Sequence, residues 1–251
     1  MDLADCLGLG DRELVAFVGA GGKKTAMGHL TARGEARDLA VGYTTTTHTP
    51  PPANLPLVLT GERSPLDALE GATSPVAFAA ERVADPDRAT EKVRGFDPGV
   101  IDEVCGSGRF DWLLVKADGA RRREFKAPGP EEPVVPGATT HVVPVASVQA
   151  VGEPLDAPAV HRPERVAAVA GVDVGDSVTP ATVGQVLGSD EGGLKRVPGG
   201  AAVTPVVNKA DTAELREQAR EALSVALAQS DRLTRGLVTS FEAGYCEVVE
   251  L

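Results

Sequence analysis

Short apolar runs with little polar alternation recur along the 251-residue chain, and segments with helical periodicity separate them. Runs of this length and composition are typical of strands buried on both faces of a sheet. The first of them reads "ELVAF" and is expected to end at Gly19. The pattern predicts strands over 13–17, 39–44, 55–60, 75–83, 112–119, 140–146, 201–208, 235–240 and 246–250.

The intervening segments predict helices over 25–34, 64–71, 97–108, 162–172, 179–187 and 212–229. Gly34 is expected to close the first helix, and Asp97 is expected to cap the third, with Pro98 in its first turn. Residues 61–97 are otherwise mixed in character. The helix over 212–229 is the clearest, because one face carries Leu215, Ala219, Ala222, Leu223 and Ala226.

Strands and helices alternate nearly throughout, which predicts an α/β fold: a mainly parallel central sheet with helices on both faces. We expect one domain over residues 1–251. A change in composition near residue 147 indicates a small helical insert at about 150–198. The strand at 201–207 would then return to the first sheet.

The net charge of -11 argues against binding to nucleic acid or to an anionic membrane, because both need a basic surface. No apolar run is long enough to span a bilayer, and the acidic start "MDLADCLGLGDRE" does not resemble a secretory signal, so we expect a cytoplasmic protein. Only 7 residues are lysine. This composition suits either a high-salt cytoplasm or an ordinary acidic protein of a GC-rich genome.

Cys6, Cys105 and Cys246 are far apart in the sequence and have neither zinc-site spacing nor the pattern of a disulfide framework. We expect reduced, partly buried thiols. The four histidines are also dispersed, so no structural metal is expected.

The first strand is followed by "GAGGKKT", a glycine-rich turn at the start of a helix. Glycines let backbone N–H groups approach an anion closely, and a lysine adds a positive charge for phosphate oxygens. The match to G-x-x-x-x-G-K-[ST] is incomplete, because Phe17 stands at the first glycine position and Lys24 at the hydroxyl position. The alternative is a strand-to-helix turn whose lysines are simply solvated.

Two later strand ends carry related signals. Asp118 ends the strand "WLLVKAD", where a magnesium-associated aspartate would be expected, although a turn aspartate is equally ordinary. Asn208, Lys209 and Asp211 form N-K-x-D, the guanine-reading pattern of G proteins. Its alternative is a turn in which Asp211 caps the next helix. All three motifs occur in G-protein order, each at a predicted strand end.

Taken together, "VGAGGKKT", "TTTTH", "FDWLLVKADGARRREFKAP", "EPVVP", "VHRPE" and "VVNKAD" resemble the YqeC family over nearly the whole chain. The resemblance implies a P-loop NTPase-like fold. It also implies a role in selenium cofactor biosynthesis, or in maturation of selenium-dependent molybdenum hydroxylases, with no established reaction.

Carried over by position, the resemblance implies a nucleotide-binding loop that includes Lys24 and Thr25. It implies a switch-like loop over 44–48, an acidic loop over 118–121, and a contribution to the same cleft from His161 and Arg162. The phosphate loop itself would comprise Gly19, Ala20, Gly21, Gly22 and Lys23.

Two positions depart from the family pattern, since Lys24 replaces a threonine and Lys116 replaces a glutamate. Each puts a cation where a metal-associated oxygen is usual, which weakens the case for Mg²⁺. Thr25 and Asp118 are the candidate metal ligands that remain.

The remaining candidates lie close to these motifs. Arg121, Arg122, Arg123 and Lys126 form a basic run that suits an anion clamp or, alternatively, a solvated loop. Thr46, Thr47 and His48 offer hydroxyl and imidazole groups. His161 is a candidate general acid or anion contact or, alternatively, a packing or capping residue. Lys23, Asp118 and His48 are the candidate catalytic residues.

We therefore expect a protein that binds GTP or ATP, with Mg²⁺ as a candidate cofactor. The expected partner is a molybdenum hydroxylase or its cofactor. Two alternatives remain: a transferase that modifies the cofactor with selenophosphate or a nucleotide, and a scaffold or chaperone that needs no nucleotide.

Overall fold

The computed structural model describes residues 2–84 and 91–251. Within these residues the α-helices are α1 (Leu3–Leu7), α2 (Lys23–Glu35), α3 (Pro65–Ala68), α4 (Pro98–Gly106), α5 (Pro163–Ala170), α6 (Pro180–Leu187) and α7 (Ala213–Gln229). A short 3₁₀ helix covers Val148–Ala150. The mixed stretch predicted over 61–97 includes 85–90, which lie outside the described residues.

The first eight strands are β1 (Glu13–Gly19), β2 (Val41–Thr45), β3 (His48–Thr49), β4 (Leu57–Leu59), β5 (Val76–Ala79), β6 (Glu81–Val83), β7 (Lys92–Arg94) and β8 (Trp112–Lys116). The others are β9 (Phe125–Lys126), β10 (His141–Ser147), β11 (Val160–His161), β12 (Ala202–Val203), β13 (Val206–Asn208), β14 (Arg235–Ser240) and β15 (Tyr245–Glu250).

One large sheet forms the centre of the protein, in the order β15-β14-β13-β10-β1-β8-β2-β5-β4, with β12 also paired to β10. Every pair is parallel except β14 and β15. Two small sheets, β11-β9 and β3-β7-β6, lie outside it. The carboxyl ends of β1, β2, β8, β10 and β13 therefore fall on one edge, where ligands bind in open α/β sheets.

Helices cover both faces of the sheet, as the alternation of strand and helix predicted. On β1, Val15 and Phe17 pack with α1 and α2 on one face. Leu14 belongs to the cluster that includes α4 on the other face. The same face carries α5, α6 and α7 over β10, β13 and β14. The fold is α/β and consistent with a P-loop NTPase-like architecture.

Several predicted boundaries were wrong. Helix α2 continues past Gly34 to Glu35, because Gly34 is a packing position: a Cβ there would lie 2.5 Å from Val41 and 3.1 Å from Trp112. The strand predicted over 75–83 divides into β5 and β6, and the one over 201–208 divides at Thr204 into β12 and β13. After the helical segment, β12 and β13 both pair with β10 in the large sheet.

The prediction of reduced thiols was wrong for two of the three cysteines. Cys6 and Cys246 form a disulfide, and Cys105 is a free thiol. The physical reason is tertiary: α1 packs against β15, so two residues 240 positions apart in sequence become neighbours. Sequence spacing carries no information about such a contact.

No helix within the described ranges is both long and apolar enough to cross a bilayer.

Gly19 and Gly28 form a matched pair for testing the turn after β1. Gly19 has φ +89°, and a Cβ there would lie 2.2 Å from the Val145 carbonyl oxygen, whereas Gly28 in α2 has open space around it. We expect Gly19→Ala to lower the free energy of unfolding by at least about 2 kcal/mol. Gly28→Ala should raise it by about 0.5–1 kcal/mol. Urea unfolding followed by circular dichroism measures both, and equal effects would contradict the strained turn.

Candidate functional site

The glycine-rich turn curves around the end of β1. Gly19, Gly21 and Gly22 all have positive φ, at 89°, 74° and 141°. A Cβ on Gly21 would lie 2.5 Å from Ser147, and one on Gly22 would lie 2.3 Å from the Asn208 amide nitrogen. Only glycine fits these positions without displacement, and the turn leads directly into the N-terminus of α2 at Lys23. Such a turn presents backbone N–H groups to an anion.

Asp118 lies at the centre of a buried ionic network. One carboxylate oxygen, Oδ1, is 2.7 Å from Lys23 Nζ. The other, Oδ2, is 3.0 Å from Lys126 Nζ and accepts the Gly19 N–H at 2.8 Å. Burial alone would raise the pKa of Asp118, but Lys23 and Lys126 lower it to about 2. The carboxylate therefore stays ionised and connects the ends of β1 and β8 to the first turn of α2.

The network continues away from the glycine turn. Lys126 also contacts Glu132 at 2.6 Å, and Glu132 pairs with Arg162 at 2.6 Å. Burial opposes ionisation of Glu132, yet Arg162 and Lys126 lower its pKa to about 2. Burial and the Arg162 charge lower the pKa of His161 to about 4, so this imidazole is neutral at pH 7. Arg162 thus connects to Asp118 through Glu132 and Lys126. Neither Arg162 nor His161 is among the described residues that line the cleft.

A cleft of about 490 Å³ opens in front of the glycine turn. His48 and Thr49 line one side, and the loop from Gly119 to Glu124 lines another. Arg121 and Arg122 adopt positive φ values of 48° and 63° there. The acidic side chain among the described lining residues is Glu124, which pairs with Lys209 at 2.7 Å. Among the described residues, eight cationic side chains line this cleft: Lys23, Lys24, Lys92, Lys116, Arg121, Arg122, Arg123 and Lys209.

Lys116 is a buried cation at the end of β8. Its ammonium donates to the Thr47 hydroxyl at 3.2 Å. Burial, then the nearby Lys23 charge, lowers the pKa of Lys116 to about 7. Its charge therefore depends on what occupies the cleft.

The N-K-x-D segment adjoins the glycine turn. Asn208 donates from Nδ2 to the Gly21 carbonyl at 3.0 Å and accepts the Thr239 hydroxyl at 3.0 Å. Asp211 is exposed and accepts the Ser240 hydroxyl at 2.5 Å. The structure thus brings together the three motifs at the carboxyl edge of the sheet.

The threonine-rich loop is partly committed to structural contacts. Thr45 donates to the Lys116 carbonyl at 2.7 Å, and Thr46 donates to the Val134 carbonyl at 2.7 Å. Thr49 lines the cleft and is 3% exposed, yet its hydroxyl has no hydrogen-bond partner among the described residues. A buried hydroxyl without a partner costs free energy, so this group is suited to bind a ligand oxygen.

The donor set does not fit Mg²⁺ bound directly to Asp118. Lysine ammonium groups and a backbone N–H already occupy both of its oxygens. Thr25 lines the cleft, but no cluster of three or more His, Cys, Asp or Glu able to hold a metal exists among the described residues. Magnesium requires near-octahedral oxygen ligands at about 2.0–2.1 Å. Lys24 and Lys116 add positive charge to the same cleft.

Sequence reasoning missed four residues of this site: Glu124, Glu132, Thr49 and Lys92. It also assigned Lys126 to an anion clamp, whereas the side chain is 1% exposed and fully committed to Asp118, Glu132 and the Gly119 carbonyl. Lys126 lies in β9, a two-residue strand that pairs with β11 and is buried at both positions. Glu132 sits in the proline-rich loop after β9, where local pattern gives no sign of its partner.

The network predicts unequal effects of two isosteric changes. Asp118→Asn leaves the buried Lys23 ammonium without its paired carboxylate and leaves Lys126 with Glu132 alone. We expect a loss of about 3–5 kcal/mol in the free energy of unfolding. Lys23→Met leaves Asp118 paired with Lys126, so its cost should be smaller. Urea unfolding of the two variants at pH 7 provides the comparison. A Lys23→Met variant that is less stable than Asp118→Asn would contradict the shared-carboxylate arrangement.

Lys116→Met should stabilise the protein in a pH-dependent way. The folded pKa of about 7 lies below the ordinary 10.5, so the unfolded chain binds the extra proton between these values. Stability of the parent protein therefore rises with pH across that window, and the cost of Lys116 is complete below pH 7. We expect the gain from Lys116→Met to be a few kcal/mol at pH 6 and smaller at pH 9. Urea unfolding at both pH values measures this gain in stability. A gain that does not change with pH would contradict a lowered pKa for the buried Lys116 ammonium, which lies near Lys23, Asp118, Lys126 and Lys24.

Comparison with known proteins identifies the family of this chain. A family model described as YqeC protein matches residues 15–164. A relative, the uncharacterized protein YqeC of Escherichia coli (strain K12), is 28% identical over 198 residues, which is 78% of this chain and 75% of the relative. The family match includes the glycine turn, Asp118, the arginine run and Arg162, whereas Asn208 lies beyond it. Because the match covers more than half of the chain, the protein belongs to the YqeC family.

Proposed function

We propose that this protein binds the phosphate groups of GTP or ATP in the basic cleft. The observation that carries the proposal is the glycine turn between β1 and α2. Its three positive-φ glycines are packed so closely that side chains are excluded, and it faces eight cationic side chains. This combination is typical of sites for polyanions, because N–H groups and lysines act on the same oxygens.

The distribution of charge supports the same proposal. The chain has a net charge of -11 and only 7 lysines, yet five of them line this one cleft: Lys23, Lys24, Lys92, Lys116 and Lys209. Burying like charges together is costly without a counter-ion. The arginine run contributes planar guanidinium groups that bind phosphate oxygens in pairs. The unpartnered Thr49 hydroxyl adds a donor at the same place.

A nucleoside would extend from the phosphates toward the N-K-x-D segment. Asn208 contacts the phosphate loop through Gly21, and Lys209 lines the cleft. Asp211 follows on the same loop, where its carboxylate is suited to accept N–H groups of guanine. Parallel titration with GTP and ATP measures whether the base contributes.

The wider proposal is an accessory role in selenium cofactor biosynthesis or in maturation of selenium-dependent molybdenum hydroxylases. The family resemblance supports it. In a host that makes such a hydroxylase, loss of this protein should reduce hydroxylase activity and bound selenium. The parent protein should restore both. Unchanged activity after its loss would refute this role while leaving nucleotide binding untouched.

Calorimetric titration with GTP, GDP and ATP tests the binding proposal. We expect binding that Arg122→Ala weakens roughly tenfold, since a hydrogen bond to a charged group contributes about 1.5–3 kcal/mol. Arg12→Ala is the matched control, because Arg12 lies just before β1, at the opposite end of the strand from the glycine turn. Equal losses in the two variants, or no binding at millimolar nucleotide, would refute the proposal.

A further inference from the structure

We propose that the cleft holds its polyphosphate without a divalent metal ion, and that lysine ammonium groups supply the neutralising charge. The inference rests on the proposed function, because it concerns how the same anion is held. It follows from the arrangement of charged groups around Asp118, where the neighbouring carboxylate, Glu132, is already paired with Lys126 and Arg162. No group of three or more His, Cys, Asp or Glu able to hold a metal exists there among the described residues.

The first step is the state of the Asp118 carboxylate. Lys23 binds one oxygen at 2.7 Å, while Lys126 and the Gly19 N–H bind the other at 3.0 and 2.8 Å. All three donors are fixed by their own elements: α2, β9 and the end of β1. A metal ion at this carboxylate would have to displace the buried ammonium group of Lys23 or of Lys126. Lys126 would keep Glu132 as a partner, whereas Lys23 has no other ion pair among the described residues.

The second step is the position of the remaining lysines. Lys116 lies two residues before Asp118 and lines the cleft, with its ammonium directed to the Thr47 hydroxyl. Lys24 lies in the first turn of α2, with its ammonium 3.2 Å from the Pro50 carbonyl oxygen. These two cations border the cleft from β8 and from α2. A divalent ion placed between them would be repelled by both, whereas phosphate oxygens would be attracted by both.

The side chains of the cleft are poorly suited to bind Mg²⁺. Mg²⁺ in phosphate sites is held by one or two carboxylates, together with hydroxyl groups and the phosphates themselves. The cleft offers the Thr25 and Thr49 hydroxyls, but the acidic side chain among its described lining residues, Glu124, already pairs with Lys209 at 2.7 Å. In other phosphate sites a metal ion held by carboxylates supplies positive charge to the phosphates. In this cleft the lysine ammonium groups supply that positive charge instead. The site therefore suits a free nucleotide or another polyphosphate better than a magnesium complex.

Titration with GTP, ATP and inorganic triphosphate, each with excess Mg²⁺ and with excess EDTA, tests the inference. We expect dissociation constants that agree within about threefold between the two conditions, or tighter binding in EDTA. The reason is that Mg²⁺ bound to the phosphates reduces the negative charge that the lysines recognise, and EDTA removes this Mg²⁺. Binding that requires Mg²⁺ would overturn the inference while leaving the proposed function intact. Failure of all three ligands in both conditions would remove the proposed function and this inference with it.

Lys116→Glu supplies the missing carboxylate and should make binding depend on Mg²⁺, with at least tenfold weaker binding in EDTA. Lys116→Gln removes the cation without adding a ligand and should weaken binding equally in both conditions. Arg12→Glu makes the same charge change as Lys116→Glu, roughly 20 Å away along β1, and should change neither result. Circular dichroism checks that each variant folds. If Lys116→Glu does not fold, the parent protein with Mg²⁺ and with EDTA still decides the question.

Discussion

The carboxylate of Asp118 is the interaction on which the rest of the site depends. It is 1% exposed, and it holds Lys23, Lys126 and the Gly19 N–H within hydrogen-bonding or ion-pair distance. Three separate chain segments therefore meet at one pair of oxygen atoms. A buried charge of this kind persists only when its partners are fixed, and the partners here belong to β1, α2 and β9. The glycine turn keeps its curvature because both of its ends are held by this network.

Concentration of positive charge against the overall charge of the molecule is the second organising feature. Like charges on an acidic protein would ordinarily disperse to pair with surface carboxylates. Here they gather where parallel strands end, next to the N-terminus of α2, whose backbone N–H groups add partial positive charge. Gathering these charges lowers the stability of the folded protein, as the lowered pKa of Lys116 indicates. Such a cost is reasonable where an anion supplies the balancing charge.

The positions of the core strands along the chain were predictable, because β1, β8, β10 and β14 are apolar runs buried on both faces. The motif positions followed, since each comes at a strand end. The ionic network was not predictable: Gly19 and Asp118 are 99 residues apart, and Lys126 lies in a buried two-residue strand that the sequence pattern did not predict. Short strands such as β3 and β7, and the Cys6–Cys246 bond, likewise depend on tertiary neighbours that periodicity does not encode.

The scarcity of lysine has a consequence for chemical modification. Apart from Lys126, which is buried, and Lys195, every lysine of the chain borders the cleft. Amine-selective acylating reagents react with the uncharged amine, and Lys116 titrates near neutrality. Covalent labelling of the lysine side chains would therefore concentrate on a single concave surface, so that an occupant of the cleft and an acylating reagent would compete for the same nitrogen atoms.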